Sequence, residues 1–304
     1  MGRFIFGLVS LGSSLLMAVG MPLAARAANA TTVTPQNMDG WMFVDDTNNS
    51  TVTATGHMIT GPANPPLGIG SAELETTSSA DGQALMKNAY AGQKLSNLTT
   101  LTYSTYVKAG NNTIAPSVQF SVDKDVTDGL NNWQGRVVFE PYLNGTVTDG
   151  QWQQWSAVNG KWWLTKPSAF GDICAQSSPC TLNDLITAFP NIGVNGGVNA
   201  QILFKAGSGW TTQFVGDVDA LTVSFGSNST TYDFEPYQVV STTDQCKNNG
   251  YKNVRDSNGQ EFKNQGQCVS WVQHNVNGNG QGNQGQVQGA NTTNNSSTSQ
   301  TGTY

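Results

Sequence analysis

Six tryptophans, Trp133, Trp152, Trp155, Trp162, Trp163 and Trp210, sit in a stretch with almost no charge and little helical periodicity. Four of them, Trp152, Trp155, Trp162 and Trp163, surround a turn at Asn159 and Gly160. Gln153, Gln154 and Asn159 lie between them. An indole face can stack on the apolar face of a sugar ring, and neighbouring amides can bond its hydroxyls. The same rings can instead fill a β-sandwich core, which is the commoner use of large aromatics. Side chains alternate along a strand, so Trp162 and Trp163 must face opposite sides, as must Trp152 and Trp155. One of each pair therefore packs inside and the other is left for an outer or concave face.

Other constellations point to less chemistry. A Ser-His-Asp triad would have to use His57, because His274 lies far along the chain and no G-x-S-x-G elbow is present. Glu73 and Glu75 share a strand face without an intervening Asp, so the E-x-D-x-x-E pattern of laminarinase-type glycosidases is missing. A carboxylate pair could still form through space, and Glu73, Glu75, Glu140 and Asp123 would then have to converge on an exposed Trp. Asp123, Asp125 and Asp128 before Gly129 have the spacing of a calcium loop. Lys124 interrupts it and no closing Glu follows, so a solvated hairpin loop is the expected form.

The elements that would carry these residues are strands. The chain has 304 residues, a formal charge of −6 and 11% charged residues. Amides and hydroxyls must therefore dress most of its surface, and nucleic acid, which requires a basic footprint, is excluded as a partner. Residues 118–122 (VQFSV) alternate apolar and polar. Residues 101–107, 136–139, 200–204 and 220–225 are further short β-branched or aromatic runs, punctuated by Gly, Asn, Asp and Pro. This pattern predicts an all-β antiparallel sandwich or barrel. One stretch differs. Thr181 caps a segment with Leu182, Leu185, Ile186 and Phe189 at helical spacing before Pro190, predicting a single short helix on the side of the sandwich.

The ends read differently again. Arg3, an apolar run over 4–19 and the small-x-small site at 25–27 predict a signal peptide over 1–27, with 28–30 as a second cleavage site and a retained anchor as the alternative. After cleavage no transmembrane segment is expected, and the protein is expected to be secreted. Four cysteines in an exported chain suggest two disulfides, and proximity pairs Cys174 with Cys180 and Cys246 with Cys268. Three pairings are possible, and the absence of paired C-x2-C units argues against zinc. The expected organisation is a β-domain over 32–235, a linker over 236–243, a cysteine-closed appendage over 244–273 and a disordered tail over 274–304.

Several blocks carry a resemblance. They are GPANPPLGIGSAEL at 61–74, LTTLTYSTY at 98–106, VFEPY at 138–142, GQWQQW at 150–155 with Trp162 and Trp163, FPN at 189–191, AGSGW at 206–210, GDVDALT at 216–222 and YDFE at 232–235. Together they resemble a recurrent, largely uncharacterised module of secreted bacterial proteins. The resemblance implies a jelly-roll β-sandwich of the galactose-binding or concanavalin A-like kind. Residues 246–251 and 262–270 resemble a short two-cysteine motif of similar proteins. Carbohydrate-binding jelly rolls often carry an aspartate in the last strand that meets the N-terminal strand region. The likeness thus implies a structural Ca2+ held by Asp217, Asp219, Asp45 and Asp46, with turn-capping aspartates as the alternative. The expected function is non-catalytic recognition of a glycan or cell-surface polymer through Trp152, Trp155, Trp162, Trp163, Gln153, Gln154 and Asn159. A polysaccharide-degrading enzyme and a structural envelope or matrix protein are the alternatives.

Overall fold

The structure, a computed structural model, describes residues 30–108, 113–208, 210 and 213–276. The expected signal peptide and most of the expected tail lie outside the described residues. The described chain is an all-β sandwich of two sheets, with two helices and a disulfide-bonded region. Contacts divide it at Gln238 and Val239, inside the segment read as a linker.

The first unit contains β1 (Ala30–Val33), β2 (Trp41–Asp45), β3 (His57–Thr60), β4 (Gly70–Thr76), β5 (Gly82–Asn88), β6 (Leu98–Val107), β7 (Ser117–Asp123) and β8 (Arg136–Phe139). It continues with β9 (Trp152–Ser156), β10 (Lys161–Leu164), β11 (Cys180–Thr181), β12 (Gly193–Val194), β13 (Gln201–Gly207), β14 (Phe214–Phe225) and β15 (Asn228–Phe234). One sheet is built around the long β14. On one side β14 pairs β6, which in turn pairs β9; on the other it pairs β15 and β4, flanked by β1 and β3. Pairing is antiparallel except that β1 runs parallel to β15. The other sheet runs β11-β10-β8-β7-β13-β5-β2, with β12 on β7.

The period-two pattern decides which side chains fill the space between the sheets. Val118, Phe120 and Val122 of β7 point inward, as do Ile202, Phe204 and Ala206 of β13 and Trp162 and Leu164 of β10. Rings interlock there. Phe204 stacks on Trp41 with centroids 6.1 Å apart and meets Tyr103 at 5.3 Å and Phe234 at 6.2 Å. Trp162 packs on Phe139 at 5.6 Å. A Phe204→Ala substitution leaves a cavity among three aromatic rings and is expected to cost about 3–5 kcal/mol in urea unfolding. A loss below about 1 kcal/mol would show that the core collapses around the gap.

Helix α1 (Leu182–Ala188) forms where the capping pattern predicted it. Thr181 Oγ1 accepts from the Asp184 amide, and the Asp184 carboxylate accepts from the Thr181 amide. Leu182 and Leu185 are buried, and the Phe189 ring at the helix end packs on Phe170. Cys174 is bonded to Cys180.

The second unit has its own small core of Val240, Cys246, Val254, Phe262, Cys268 and Val272. Cys246 is bonded to Cys268, and β16 (Gln238–Val239) pairs β17 (Val254–Arg255). Helix α2 (Gln265–Asn275) was not expected from the sequence. It is capped by Asn264 and buries only Cys268 and Val272, one turn apart, so its apolar stripe is too narrow to show as periodicity. No helix among the described residues is long and apolar enough to cross a membrane.

Candidate functional site

Strand order in the eight-stranded sheet lines up one row of outward side chains. Trp163 of β10 lies opposite Val138 of β8, Val138 opposite Gln119 of β7, and Gln119 opposite Leu203 of β13. Leu203 lies opposite Met86 of β5, and Met86 opposite Met42 of β2. Direct cross-strand partners share a face, and their inward neighbours Trp162, Phe120, Phe204 and Leu85 are core. The row is therefore the outer surface of the sheet. Its β2–β5–β13 end is apolar, with Val44, Ala84, Met86 and Leu203 packed together. Its β7–β8–β10 end is polar and aromatic.

That polar end forms a cleft of about 430 Å3. Trp163, Trp210 and Tyr142 contribute rings, Gln119, Gln176, Ser117 and Thr165 contribute amides and hydroxyls, and Arg136, Lys205 and Glu140 contribute charge. Gln119 is nearly buried in mid-sheet, where its Nε2 donates to Ser117 Oγ at 2.9 Å. Gln176 Nε2 donates to the Tyr142 hydroxyl at 3.3 Å.

The charges are arranged in pairs. Arg136 grips Asp46 with both terminal nitrogens, at 2.7 and 2.8 Å, and Lys205 forms a further ion pair with the same carboxylate. Burial alone would raise the Asp46 carboxyl. The Arg136 hydrogen bond and charge, with Lys205, outweigh burial and hold it well below the usual carboxylate range. Glu140 is different. It is 7% exposed, and burial pushes its carboxyl up, partly offset by Tyr142, Gln176 and Trp163 around it. Two cations and two carboxyls thus leave the cleft with no net formal charge while Glu140 is ionised.

The residues read from the sequence as one aromatic site are distributed over both sheets. Trp163 lines the cleft. Trp162 is fully buried and its indole N–H donates to the Ala157 carbonyl at 2.9 Å. Trp155 is buried and donates to Thr105 Oγ1 at 2.8 Å. Trp152 is half-buried on the other sheet, donates to the Pro62 carbonyl at 2.9 Å and packs on Tyr106. Gln153 is bonded to the backbone of Thr146 and Thr148, while Gln154 and Asn159 are exposed away from the cleft lining. Opposite facing within each Trp pair is what the period dictates. The pairing of β10 with β8 then puts Trp163, and not Trp162, on the outer face. Sequence reasoning missed Gln119, Arg136, Lys205 and Gln176 as companions of Trp163, and named Glu140 only among the carboxyls of a hydrolase. The outward alternation of 117, 119 and 121 was a legible signal, but strand order was not.

The four aspartates read as a calcium set do not make a common cage. Asp45 accepts from the Thr47 and Asn48 amides, from Asn48 Nδ2 at 2.8 Å and from Thr53 Oγ1 at 2.6 Å, which closes its own turn. Asp46 is occupied by Arg136 and Lys205. Asp217 and Asp219 lie on β14 in the opposite sheet. Asp217 accepts from Ser71 Oγ at 3.1 Å, and Asp219 from the Leu67 and Phe234 amides at 3.0 and 3.2 Å. Among the described residues no three His, Cys, Asp or Glu side chains form a metal-binding group. Glu73 and Glu75 are likewise on β4, Asp123 ends β7, and only Glu140 reaches the cleft. The four carboxyls named for a hydrolase do not converge.

No protein-family model matches the chain, and no curated protein does. Among solved structures it is similar to the family 11 carbohydrate-binding module of the cellulosomal cellulase Lic26A-Cel5E of Clostridium thermocellum. Identity is 12%, 62% of this chain and 88% of that chain are covered, and the TM-score is 0.34. A family 30 carbohydrate-binding module matches at 12% identity over 66% of this chain and 86% of that chain, with a TM-score of 0.36. Similarity this loose identifies neither a family nor a ligand.

Proposed function

We propose that this protein is an exported, non-catalytic binding module that recognises a neutral glycan in the cleft on the outer face of its eight-stranded sheet. The carrying observation is the position of Trp163. Its ring lines the cleft beside Gln119, Gln176, Ser117 and Thr165, and the charges around it cancel. A rigid aromatic wall with amide and hydroxyl groups at its edge suits a ring that has apolar faces and a polar rim. Cancelled charge favours neutral polymers over polyuronates and polyamines. Catalysis by a carboxyl pair is disfavoured because Asp46 is saturated by two cations, leaving Glu140 without the second acidic partner that glycoside hydrolysis uses. Two disulfides support an oxidising compartment.

Affinity electrophoresis against soluble glucans, mannans, xylans and galactans tests this reading. Retention by at least one neutral polymer is expected, and Trp163→Ala should weaken it about 30-fold, as for a buried aromatic anchor. Trp152→Ala, on the other sheet, should leave it unchanged. Retention that follows Trp152 and ignores Trp163 would place the site elsewhere.

A further inference from the structure

Glu140 directly follows β8 and is held in extended backbone before Pro141, with its carboxyl facing the cleft. The residue is more than nine-tenths buried, yet its Oε2 completes no hydrogen bond within the protein. Trp163 Nε1 and Arg136 Nε, lining the same cleft, are buried and complete no hydrogen bond either, although the Trp163 indole approaches Glu140 closely enough to help lower its carboxyl. Buried polar groups are normally satisfied, so an acceptor and two donors left open in one cleft mark places where a ligand completes the bonding.

Resting on the glycan reading, we propose that Glu140 is a ligand-binding carboxylate which, with Trp163 Nε1 and Arg136 Nε, takes a pair of adjacent free hydroxyls on a neutral sugar. A hydroxyl can donate to the carboxylate while accepting from an indole or guanidinium N–H, so a vicinal diol satisfies both kinds of open position. Hydrogen bonds to an ionised acceptor are the strong ones, which makes Glu140 the determinant of specificity and the Trp163 ring face the determinant of general affinity. Arg136 takes part through Nε only, since both its terminal nitrogens are committed to Asp46. The ligand class is therefore a neutral polysaccharide with unsubstituted neighbouring hydroxyls. Its O-methylated counterpart presents acceptors but no donors and should fail.

The test is titration calorimetry of the full-length mature protein against the soluble neutral polysaccharides above and their O-methylated forms, across pH. Wild type should bind an unmodified polymer and lose affinity at least tenfold for its methylated form. Glu140→Gln keeps the shape and should lose about 10- to 100-fold. Because burial raises the Glu140 carboxyl, wild-type affinity should fall as pH is lowered toward the ordinary carboxylate range, and Glu140→Gln should abolish that dependence. Trp163→Phe, which keeps an aromatic face but removes the N–H, should lose several-fold and gives an independent reading should Glu140→Gln fold poorly. Wild-type binding with Glu140→Gln and Trp163→Phe both within twofold overturns this inference and leaves the glycan reading standing. No wild-type binding to any of these polymers overturns both.

Discussion

Unfolding of this protein should become easier as pH rises from roughly 5 to 8, the reverse of what carboxylate ion pairs produce. The cause is a group of acids buried on the side of the sandwich opposite the cleft. Asp217, Asp219 and Asp233 are 0–1% exposed and Glu235 is 4% exposed. Burial, reinforced by Asp233, pushes Glu235 up from 4.5 to about 8. Burial, reinforced by Glu73 and opposed by Lys108, pushes Asp217 up from 3.8 to about 7. Burial also raises Asp219, beside Asp233, although the Leu67 and Phe234 amides oppose it. Asp217, Asp219 and Glu235 each keep a proton in the folded chain after the unfolded chain has released it. Stability from them is therefore full below the unfolded pKa values near 4 and declines until the folded pKa values near 7–8 are passed. Each such group contributes up to about 1.4 kcal/mol per pH unit, so a net loss of about 3 kcal/mol or more across this window is expected. Urea midpoints at several pH values measure it. Glu235→Gln cannot ionise and should be more stable than wild type at pH near 8, with a shallower slope. Equal slopes for the two proteins would remove Glu235 from the explanation.

The second large effect belongs to Asp46. Asp46→Ala strips two largely but not fully buried cations of their partner, the Arg136 and Lys205 side chains being 15 and 16% exposed. Removing one member of a buried pair typically costs about 3–5 kcal/mol, because the remaining charges stay desolvated without compensation. At the size of this domain that corresponds to roughly 10 °C in melting temperature. The cleft would also go from neutral to net positive, with Arg136 and Lys205 facing Glu140 alone. Binding of neutral polysaccharide should weaken and retention by a polyuronate should appear. Adding Lys205→Met to Asp46→Ala should recover part of the stability. A destabilisation below about 1 kcal/mol, or unchanged polymer preference, would show that solvent reaches the pair and that it does not set the cleft's charge. Because Asp46 is held below the ordinary carboxylate range, its contribution is present at neutral pH and is lost only as pH falls below about 4. With the acids of the opposite sheet, this places the stability maximum between roughly pH 4 and 5.

Much of the sandwich can be read along the chain because its signals are local. The alternation of Val118, Phe120 and Val122 with Ser117, Gln119 and Ser121 assigns two faces to β7 without reference to any neighbour. The Thr181–Asp184 box and Pro190 bound α1 in the same way. The candidate site is different. Trp163 is joined by Gln119 from β7, Arg136 and Glu140 from β8 and its following turn, and Lys205 from β13. Their proximity depends on which strands become neighbours, and that is settled by closing loops of tens of residues. Clustering in sequence was misleading for the same reason. Trp152 and Trp155 on β9 pair with β6 in one sheet, while Trp162 and Trp163 on β10 pair with β8 in the other. Asp45 and Asp217 are likewise assigned to different sheets, although each resembles half of a calcium motif.

By itself the sequence determined the strands, their inward faces and the rule that consecutive tryptophans must point apart, because these follow from backbone period and local hydrogen bonding. Only the tertiary structure decided that Trp163 is the outward one, that Glu140 faces the same cleft with its Oε2 unbonded, and that Asp46 neutralises Arg136 and Lys205. Those outcomes depend on non-local strand pairing and on burial, and both exist only once the two sheets have closed on each other.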